Sequence, residues 1–598
     1  MSPPIERLSD ADLLVMADIR AQENQPPAAA SVDSARRPGL VVLALWFGIA
    51  GSLAEVAIHL LRRYARHRFM FLSDDVVWMG PVMNTVLLLF VGGIVWLVQR
   101  LRHRSTDGWI PPFLFLSTLG VLIAYPRLHW SADAVLAAGI AYQLNRVIRR
   151  RHLTFARLVV RTTPVLVALV VILAGALHLM RWRVSRRMAR PAVTAGAPNV
   201  VLIILDTVRG LGLTGGDLVD SLMPRVGARA GSAVRFSQAY AAGSWTLPSH
   251  ASMFTGQWPA VHRANWSAPL SDSFPTIAEA LVRVGYATAG FVANKEYASR
   301  ETGLARGFEE YHDYLVSPGE FIRSSALLRL IGQSLPLRRV IGQEQSLGRK
   351  DGDEVNREAL AWLGRNRDRP FFVFLNYFDA HAPYLPPSPY DSALLRLPGA
   401  EGKDPQRRFR STWQEMLPPE PILEESRVAY AAAVGFLDSR VAALFDSLEA
   451  RHLLRNTIVI LTADHGEEFG EHGTIGHGHN VYRTTVQVPL MIWQPGLPPG
   501  RVSRPVTLRD IPATIMNATG LPTGIFPGHS LLELSSASDS IRSELVWVPG
   551  LPKEYGVGDG DQDSWIVDSI RVIERVGGRK ESYNVYQDPF EGGSVKNR

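Results

Sequence analysis

Between residues 40 and 180 the chain carries a succession of long apolar runs separated by short Arg-bearing loops. No other feature restricts the possible folds so strongly. A run of about 20 apolar residues matches the thickness of a bilayer's hydrocarbon core, and in lipid the backbone must satisfy its own hydrogen bonds, which leaves helices for such runs. Residues 40–61 and 77–99 are each long enough to cross. Residues 109–125 are a little short, residues 130–142 are Ala-rich and carry Asp133, and residues 164–180 are strongly apolar. A single such run would equally suit a buried core helix, but several in succession point to an N-terminal bundle of about four to five transmembrane helices over residues 38–190. The net charge supports this. Residues 1–197 hold 23 Arg, no Lys and 11 acids, or +12, so the remainder of a chain of net charge +7 carries −5. A basic excess confined to the apolar third suits lipid headgroups, and no nucleic-acid partner is expected.

Residues 1–37 read as a polar tail without the apolar core and small-residue cleavage site of a signal peptide. Arg clusters follow nearly every run, so the positive-inside bias is mixed. Five spans would put the C-terminal part outside the cytoplasm and four would leave it inside. Five place the Arg-rich loop 146–161 in the cytoplasm, so the expectation is a multi-pass membrane protein with its soluble part outside the cytoplasm. Glu55 and His59 stand one helical turn apart in the first run. Ionisable groups at that depth serve function or pair with each other or a neighbouring helix.

From residue 198 the pattern changes. The segments NVVLIILD, YATAGFVA, FFVFLNYFD and NTIVILTA are continuous apolar runs of strand length, as in a parallel sheet buried on both faces. Between them lie amphipathic helical stretches, FPTIAEALVRVG and RVAYAAAVGFLDSRVAALFDSLEARHLL. This alternation predicts an α/β fold with a mostly parallel central sheet. In such sheets ligands collect at the C-terminal ends of the strands. Asp206 and Thr207 end the first strand, His381 follows FFVFLNYFD, and Asp464 and His465 end NTIVILTA. Asp206, Asp464 and His465 are a reasonable ligand set for one divalent cation, with Mn, Zn, Ca and Mg not distinguished. Taken singly, a strand-end Asp is also a common helix cap. The chain has no Cys, which excludes disulfides, thiolate metal sites and a cysteine nucleophile.

The ordered segments NVVLIILDTVRG, SWTLPSHASMFTG, DAHAPY, TADHGEEFGEHGTIGHG, VPLMIW and LRDIPATIMNATGLP, with YNVYQDPFEGG near the end, resemble the sulfatase branch of the alkaline phosphatase superfamily. The resemblance spans about residues 198–592 and implies a catalytic domain there with an alkaline-phosphatase-like sandwich, one or two divalent metals, and a covalent ester intermediate. Asp206, Asp464 and His465 fall on metal-ligand positions. Thr246 falls on the nucleophile position, which also touches the metal. His381 and His477 fall on positions that contact the transferred group or the leaving oxygen, and His250 stands where many sulfatases carry an Arg. The departures are informative. Sulfatases convert a Cys or Ser at the nucleophile position to formylglycine, an aldehyde that Thr cannot yield. Thr207 replaces a second acid, so that one ligand is missing or a weaker one is supplied. His465 replaces an Asn. The Thr nucleophile matches the membrane phosphotransferase members that resemble lipoteichoic acid synthases and phosphoethanolamine transferases, and all three departures point toward phosphoester chemistry.

The resemblance therefore implies an anionic phosphoester substrate, a lipid headgroup or cell-envelope ester, with the bilayer as a partner. Two alternatives stay open: a sulfuric ester hydrolase using unmodified Thr, and a non-catalytic protein that binds an envelope polymer. Asn294 and Lys295 follow another strand and either touch the substrate or form a surface loop. His472, His479, Glu467 and Glu468 share a loop with His477 and are candidates to support the ligands, whereas His262 reads as structural. Residues 310–365 are amphipathic, and could lie on a bilayer or cover the site.

Overall fold

The computed structural model describes residues 38–66, 69–102, 109–125, 127–187, 196–332, 347–366, 368–397, 417–533, 541–546 and 560–593. The polar tail over 1–37, most of the linker after residue 190, and residues 333–346 lie outside the described residues. The chain divides into two compact units, one holding the residues up to Val56 and Val77–Ala174, the other Ala57–Val76 and Gly175 onward.

Every apolar run of the N-terminal third falls in a helix: Leu40–Arg66, Val76–Leu101, Ile110–Ile123, Trp130–Arg150 and His152–Arg187. In the first unit Leu43, Phe47, Leu88, Phe113 and Val159 share one core. Trp46 Nε1 donates to Thr162 Oγ1 at 2.8 Å, and Asn84 Nδ2 donates to the buried Glu55 Oε1 at 3.1 Å. Glu55 thus pairs with a neighbouring helix. Among the described residues four helices are long and apolar enough to cross a membrane. Three lie in this third, where many apolar side chains, Phe90, Val135, Val171 and Ile172 among them, face outward. The fourth, Glu420–Ala450, belongs to the α/β unit, where Ala429, Val434, Leu437, Val441 and Leu448 are buried in the same core as the sheet. Its apolar face is thus spent on a protein core. Ile110–Ile123 is apolar but shorter.

The second unit is built on strands β1 (Asn199–Leu205), β2 (Val234–Tyr240), β3 (Ala287–Val292), β4 (Glu310–His312), β5 (Phe371–Tyr377), β6 (Thr457–Ala463), β7 (Glu468–Phe469), β8 (Ile475–Gly476), β9 (Gln487–Trp493), β10 (Gly500–Val502) and β11 (Val506–Thr507). One sheet runs β10-β2-β9-β6-β1-β5-β3-β4, with β11 also on β2. From β6 to β4 the pairing is parallel, and β9 is the antiparallel insert. This is the alkaline-phosphatase-like arrangement, with β1 between β5 and β6 at its centre. The side chains of β5 and β6 are buried throughout, as are those of β1 after Asn199. Burial on both faces explains their unbroken apolar sequence, each large aliphatic side chain contributing about 1.5–3 kcal/mol. Pro419 and Pro421 open the helix Glu420–Ala450 seven residues before its amphipathic pattern begins at Arg427, because Pro is favoured in a first turn, where no N–H is required. A separate antiparallel sheet joins Ile541–Leu545, Gln562–Val567, Ile570–Arg575 and Arg579–Asn584.

Ala57–Val76 is held within this unit. The Glu301 carboxylate accepts from the Met70 and Phe71 amides at 2.8 Å each, Arg323 donates to the Phe71 carbonyl at 2.6 Å, and Arg329 donates to His59 Nε2 at 3.1 Å. The described parts of 310–365 form β4 and the helices Pro318–Arg323, Ala326–Gly332 and Gly352–Arg365.

Candidate active site

Parallel neighbours in register end at the same level, and β1 and β6 pair with Leu205 opposite Ala463. The next residue on each chain, Asp206 and Asp464, therefore stands beside the other. Both are fully buried, as is His465. Asp464 Oδ1 accepts from the amides of Thr207 (3.3 Å) and His465 (2.9 Å), which turns Oδ2 inward, 3.4 Å from His465 Nε2. Asp206 Oδ1 lies 3.9 Å from the same nitrogen, and the donor atoms of the three residues all fall within 4.8 Å of one another. His465 Nδ1 must carry its proton, because it donates to the Gly466 carbonyl at 3.0 Å. That leaves the Nε2 lone pair for the centre.

Thr246 opens the helix Thr246–Thr255, and its Oγ1 sits 3.4 Å from His465 Nε2. Asn294, just past β3, reaches both sides of the nest. Its Nδ2 donates to Asp206 Oδ2 at 2.8 Å and to Thr246 Oγ1 at 3.2 Å. Asp206 Oδ1 and Asp464 Oδ2 have no hydrogen-bond partner among the described residues. Burial pushes Asp206 well above the usual carboxylate range, with the Asp464 charge adding to it, and burial raises Asp464 to about 8. Two orphaned buried carboxylate oxygens converge here with an imidazole lone pair and a hydroxyl. This donor set fits a divalent cation. Thr207, a β-branched residue at φ 64°, is held in the left-handed region to aim its amide at Asp464. Its hydroxyl is turned away, donating to the Asp206 carbonyl at 2.7 Å.

The candidate histidines surround this nest. His250, one turn beyond Thr246, donates from Nδ1 to the Thr246 carbonyl (2.9 Å) and lies 3.5 Å from Asp464 Oδ2. Burial lowers its pKa to about 3, so it is neutral. His477 leaves the β7–β8 hairpin with its ring 4.3 Å from that of His465 and 5.1 Å from that of His381. Burial lowers His477 to about 3, and its Nδ1 lies 2.8 Å from Glu467 Oε1, whose own pKa burial raises to about 8. His381 donates from Nδ1 to the Ala382 carbonyl at 3.0 Å, and burial holds it well below the usual imidazole range. The loop advances through Gly466, where a Cβ would come within 2.1 Å of the Thr484 carbonyl oxygen, and Gly478, at φ 77°.

Other candidates sit elsewhere. The Lys295 ammonium, lowered to about 7 by burial, bonds to Glu320 Oε1 at 3.0 Å and to the Leu347 carbonyl. His472 stacks on Tyr482 at 3.6 Å and bonds to Glu468, which also takes hydrogen bonds from Thr484 and Asn480; this is the underside of the hairpin. The His479 carbonyl accepts from Gln562 at 3.1 Å. His262 braces the helix Thr246–Thr255 through Ser252 Oγ (3.1 Å). Linear pattern does not single out two further residues. Arg349 donates to the Phe378, His381 and Ala382 carbonyls and so pins the His381 loop. Asn376 Oδ1 accepts from the Asn294 amide at 2.9 Å. An amide inside an otherwise apolar strand is the one signal for Asn376, whereas Arg349 offers none.

A family model described as Sulfatase matches residues 198–521. The chain is 28% identical over 362 residues to choline-sulfatase of Rhizobium meliloti (strain 1021), covering 55% of this chain and 69% of that protein. It is 26% identical over 443 residues to arylsulfatase of Clostridium perfringens (strain 13 / Type A), covering 66% of this chain and 89% of that one. Among solved structures, the phosphonate monoester hydrolase of Agrobacterium radiobacter superposes with a TM-score of 0.51 at 21% identity, over 67% of this chain and 91% of that chain. The phosphonate monoester hydrolase of Silicibacter pomeroyi gives 0.50 at 22% identity, over 65% and 90%.

Proposed function

Because the chain belongs to the sulfatase family, whose members among its relatives are hydrolases, we propose that it is a metal-dependent enzyme of phosphoesters working through a covalent Thr246 intermediate. The observation that carries this is the placement of Thr246 Oγ1 beside His465 Nε2 and under the Asn294 amide, in the nest with the two orphaned carboxylate oxygens. A divalent cation held by Asp206, Asp464 and His465 would supply the positive charge that lowers the hydroxyl pKa and offsets charge on the phosphoryl oxygens. Thr246 Oγ1, its proton released to water, forms the bond to phosphorus as the bond to the ester oxygen breaks. The N-terminus of helix Thr246–Thr255 favours the negative charge gathered there. The negative charge of the bound ester favours the protonated form of His477, which gives the departing oxygen a proton, and His381 borders the phosphoryl group. Water or an acceptor hydroxyl then displaces the threonine. Of the loop after β3, Asn294 is the substrate-side group, since the Lys295 ammonium is engaged by Glu320.

A general acid matters most for a poor leaving group, because an alkoxide needs the proton and a nitrophenolate does not. His477→Ala is expected to slow alkyl phosphoesters about 10²–10⁴-fold and nitrophenyl phosphoesters far less, with bound metal unchanged. Equal slowing of both would make His477 a phosphoryl-binding group, and loss of metal would place it among the ligands.

The names of the curated relatives favour a second reading, hydrolysis of sulfate esters, which a threonine attacks in the same manner. Nitrophenyl phosphate, its diester, a phosphonate monoester and nitrophenyl sulfate, assayed side by side, separate the two. Highest kcat/KM on the sulfate would overturn the phosphoester assignment.

The long apolar helices of the N-terminal third support a multi-pass membrane anchor; an odd number of spans, as the Arg-rich loop 146–161 favours, would put the α/β unit outside the cytoplasm, where a lipid headgroup or cell-envelope ester is the substrate. A reporter fused after Arg598 should be active only if exported. Activity of a cytoplasm-only reporter would discard the external topology and the envelope substrate with it.

A further inference from the structure

Glu467 is a fully buried carboxyl whose Oε1 meets a histidine, His477 Nδ1, at 2.8 Å. A buried carboxyl is costly, and is retained where it holds something in place. Its own position is well determined. It follows β6 by four residues, with the Gly466 amide bonded to the Thr485 carbonyl at 2.8 Å and the Glu467 carbonyl accepting from Arg209 at 3.3 Å. His477 meets it from the other end of the same β7–β8 hairpin, directly after β8, with the next amide, that of Gly478, bonded to the Ser244 carbonyl at 3.0 Å. The hairpin thus fixes both backbones, and the Glu467 carboxyl meets the His477 ring at Nδ1.

We propose that Glu467 is the positioning residue for His477, fixing the ring so that Nε2 and not Nδ1 serves the leaving oxygen. This rests on the acid role given to His477 above. An imidazole has two nitrogens on opposite edges, and whichever one is hydrogen-bonded to a fixed group commits the other to the chemistry. Without Glu467 the hydrogen bond at Nδ1 is lost, and the ring is set less precisely for the leaving oxygen. A misplacement of about 1 Å is enough to cost on the order of 10²-fold.

The test is a double-mutant cycle read against leaving group. Parent, Glu467→Gln, His477→Ala and the double variant are assayed on nitrophenyl and alkyl phosphoesters, with metal content and melting temperature measured for each. Glu467→Gln is expected to slow the alkyl ester about 10–100-fold and the nitrophenyl ester much less. The double variant should be no slower than His477→Ala alone, because a positioning residue has nothing left to position. Equal slowing of both esters by Glu467→Gln, or losses that multiply in the double variant, would overturn the proposal. So would loss of metal, which would assign Glu467 to the ligand shell. A misfolded Glu467→Gln would announce itself in the melting temperature, and Glu467→Asp then carries the test, with partial recovery of alkyl-ester turnover expected and none overturning it. If His477→Ala itself shows no leaving-group dependence, the acid role falls first and the positioning role with it.

Discussion

Thr246→Ala is expected to lower turnover about 10⁴-fold or more, the usual consequence of removing a nucleophile, while metal binding weakens only modestly. The hydroxyl is one neighbour of the nest among several, since Asp206, Asp464 and His465 remain. It is the nucleophile in the proposed reaction. Metal analysis alongside kcat/KM checks both halves. Intact-protein mass adds a third readout, because a phosphoryl adduct trapped on the parent with a slow substrate should be absent from the variant. Turnover near the parent rate would remove Thr246 from its role.

The second large effect concerns Asp464→Asn, expected to lose the metal and, with it, activity on every leaving group. Its stability signature has a definite sign. Burial raises Asp464 from 3.8 to about 8 in the metal-free fold. A folded-state pKa above the unfolded one gives stability that is fully present below the unfolded pKa and lost as pH rises through the folded one. Metal-free parent protein should therefore melt progressively lower from about pH 4 to about pH 8, and metal-free Asp464→Asn should lose less over that window. Adding a divalent cation reverses the ranking at the upper end of it. At about 100 times its dissociation constant a ligand stabilises by about 2.7 kcal/mol, a gain for the parent alone. Melting curves at the two ends of the window, with chelator and with cation, decide it. A variant that gains as much from the cation as the parent would sink the ligand assignment.

Much of this architecture is legible in the order of the residues. NVVLIILD, FFVFLNYFD and NTIVILTA form β1, β5 and β6, each apolar without interruption because the parallel strands are covered on both faces. Asp206, Asp464 and His465 stand out as strand-end polar residues, and neighbouring parallel strands bring their ends together by construction. The helix Glu420–Ala450 shows where the same signal misleads: its length and apolarity suit a membrane, yet it is buried against the α/β core. Apolar periodicity reports that a face must be covered and is silent about what covers it.

Residue order is thus enough to mark the strands and long helices, to exclude cysteine chemistry, and to name the residues standing at the strand ends. These are local properties, set by side-chain pattern over about ten or twenty positions. Only the folded chain reveals that Asn294 bridges Asp206 and Thr246, that the Lys295 ammonium turns to Glu320, that Arg349 pins the His381 loop, and that Glu467 takes His477. Whether two polar side chains meet depends on loop paths and on contacts between residues distant in sequence, such as Thr246 and His465, 219 positions apart. Those contacts follow from the packing of the whole core, and no periodicity in the chain encodes them.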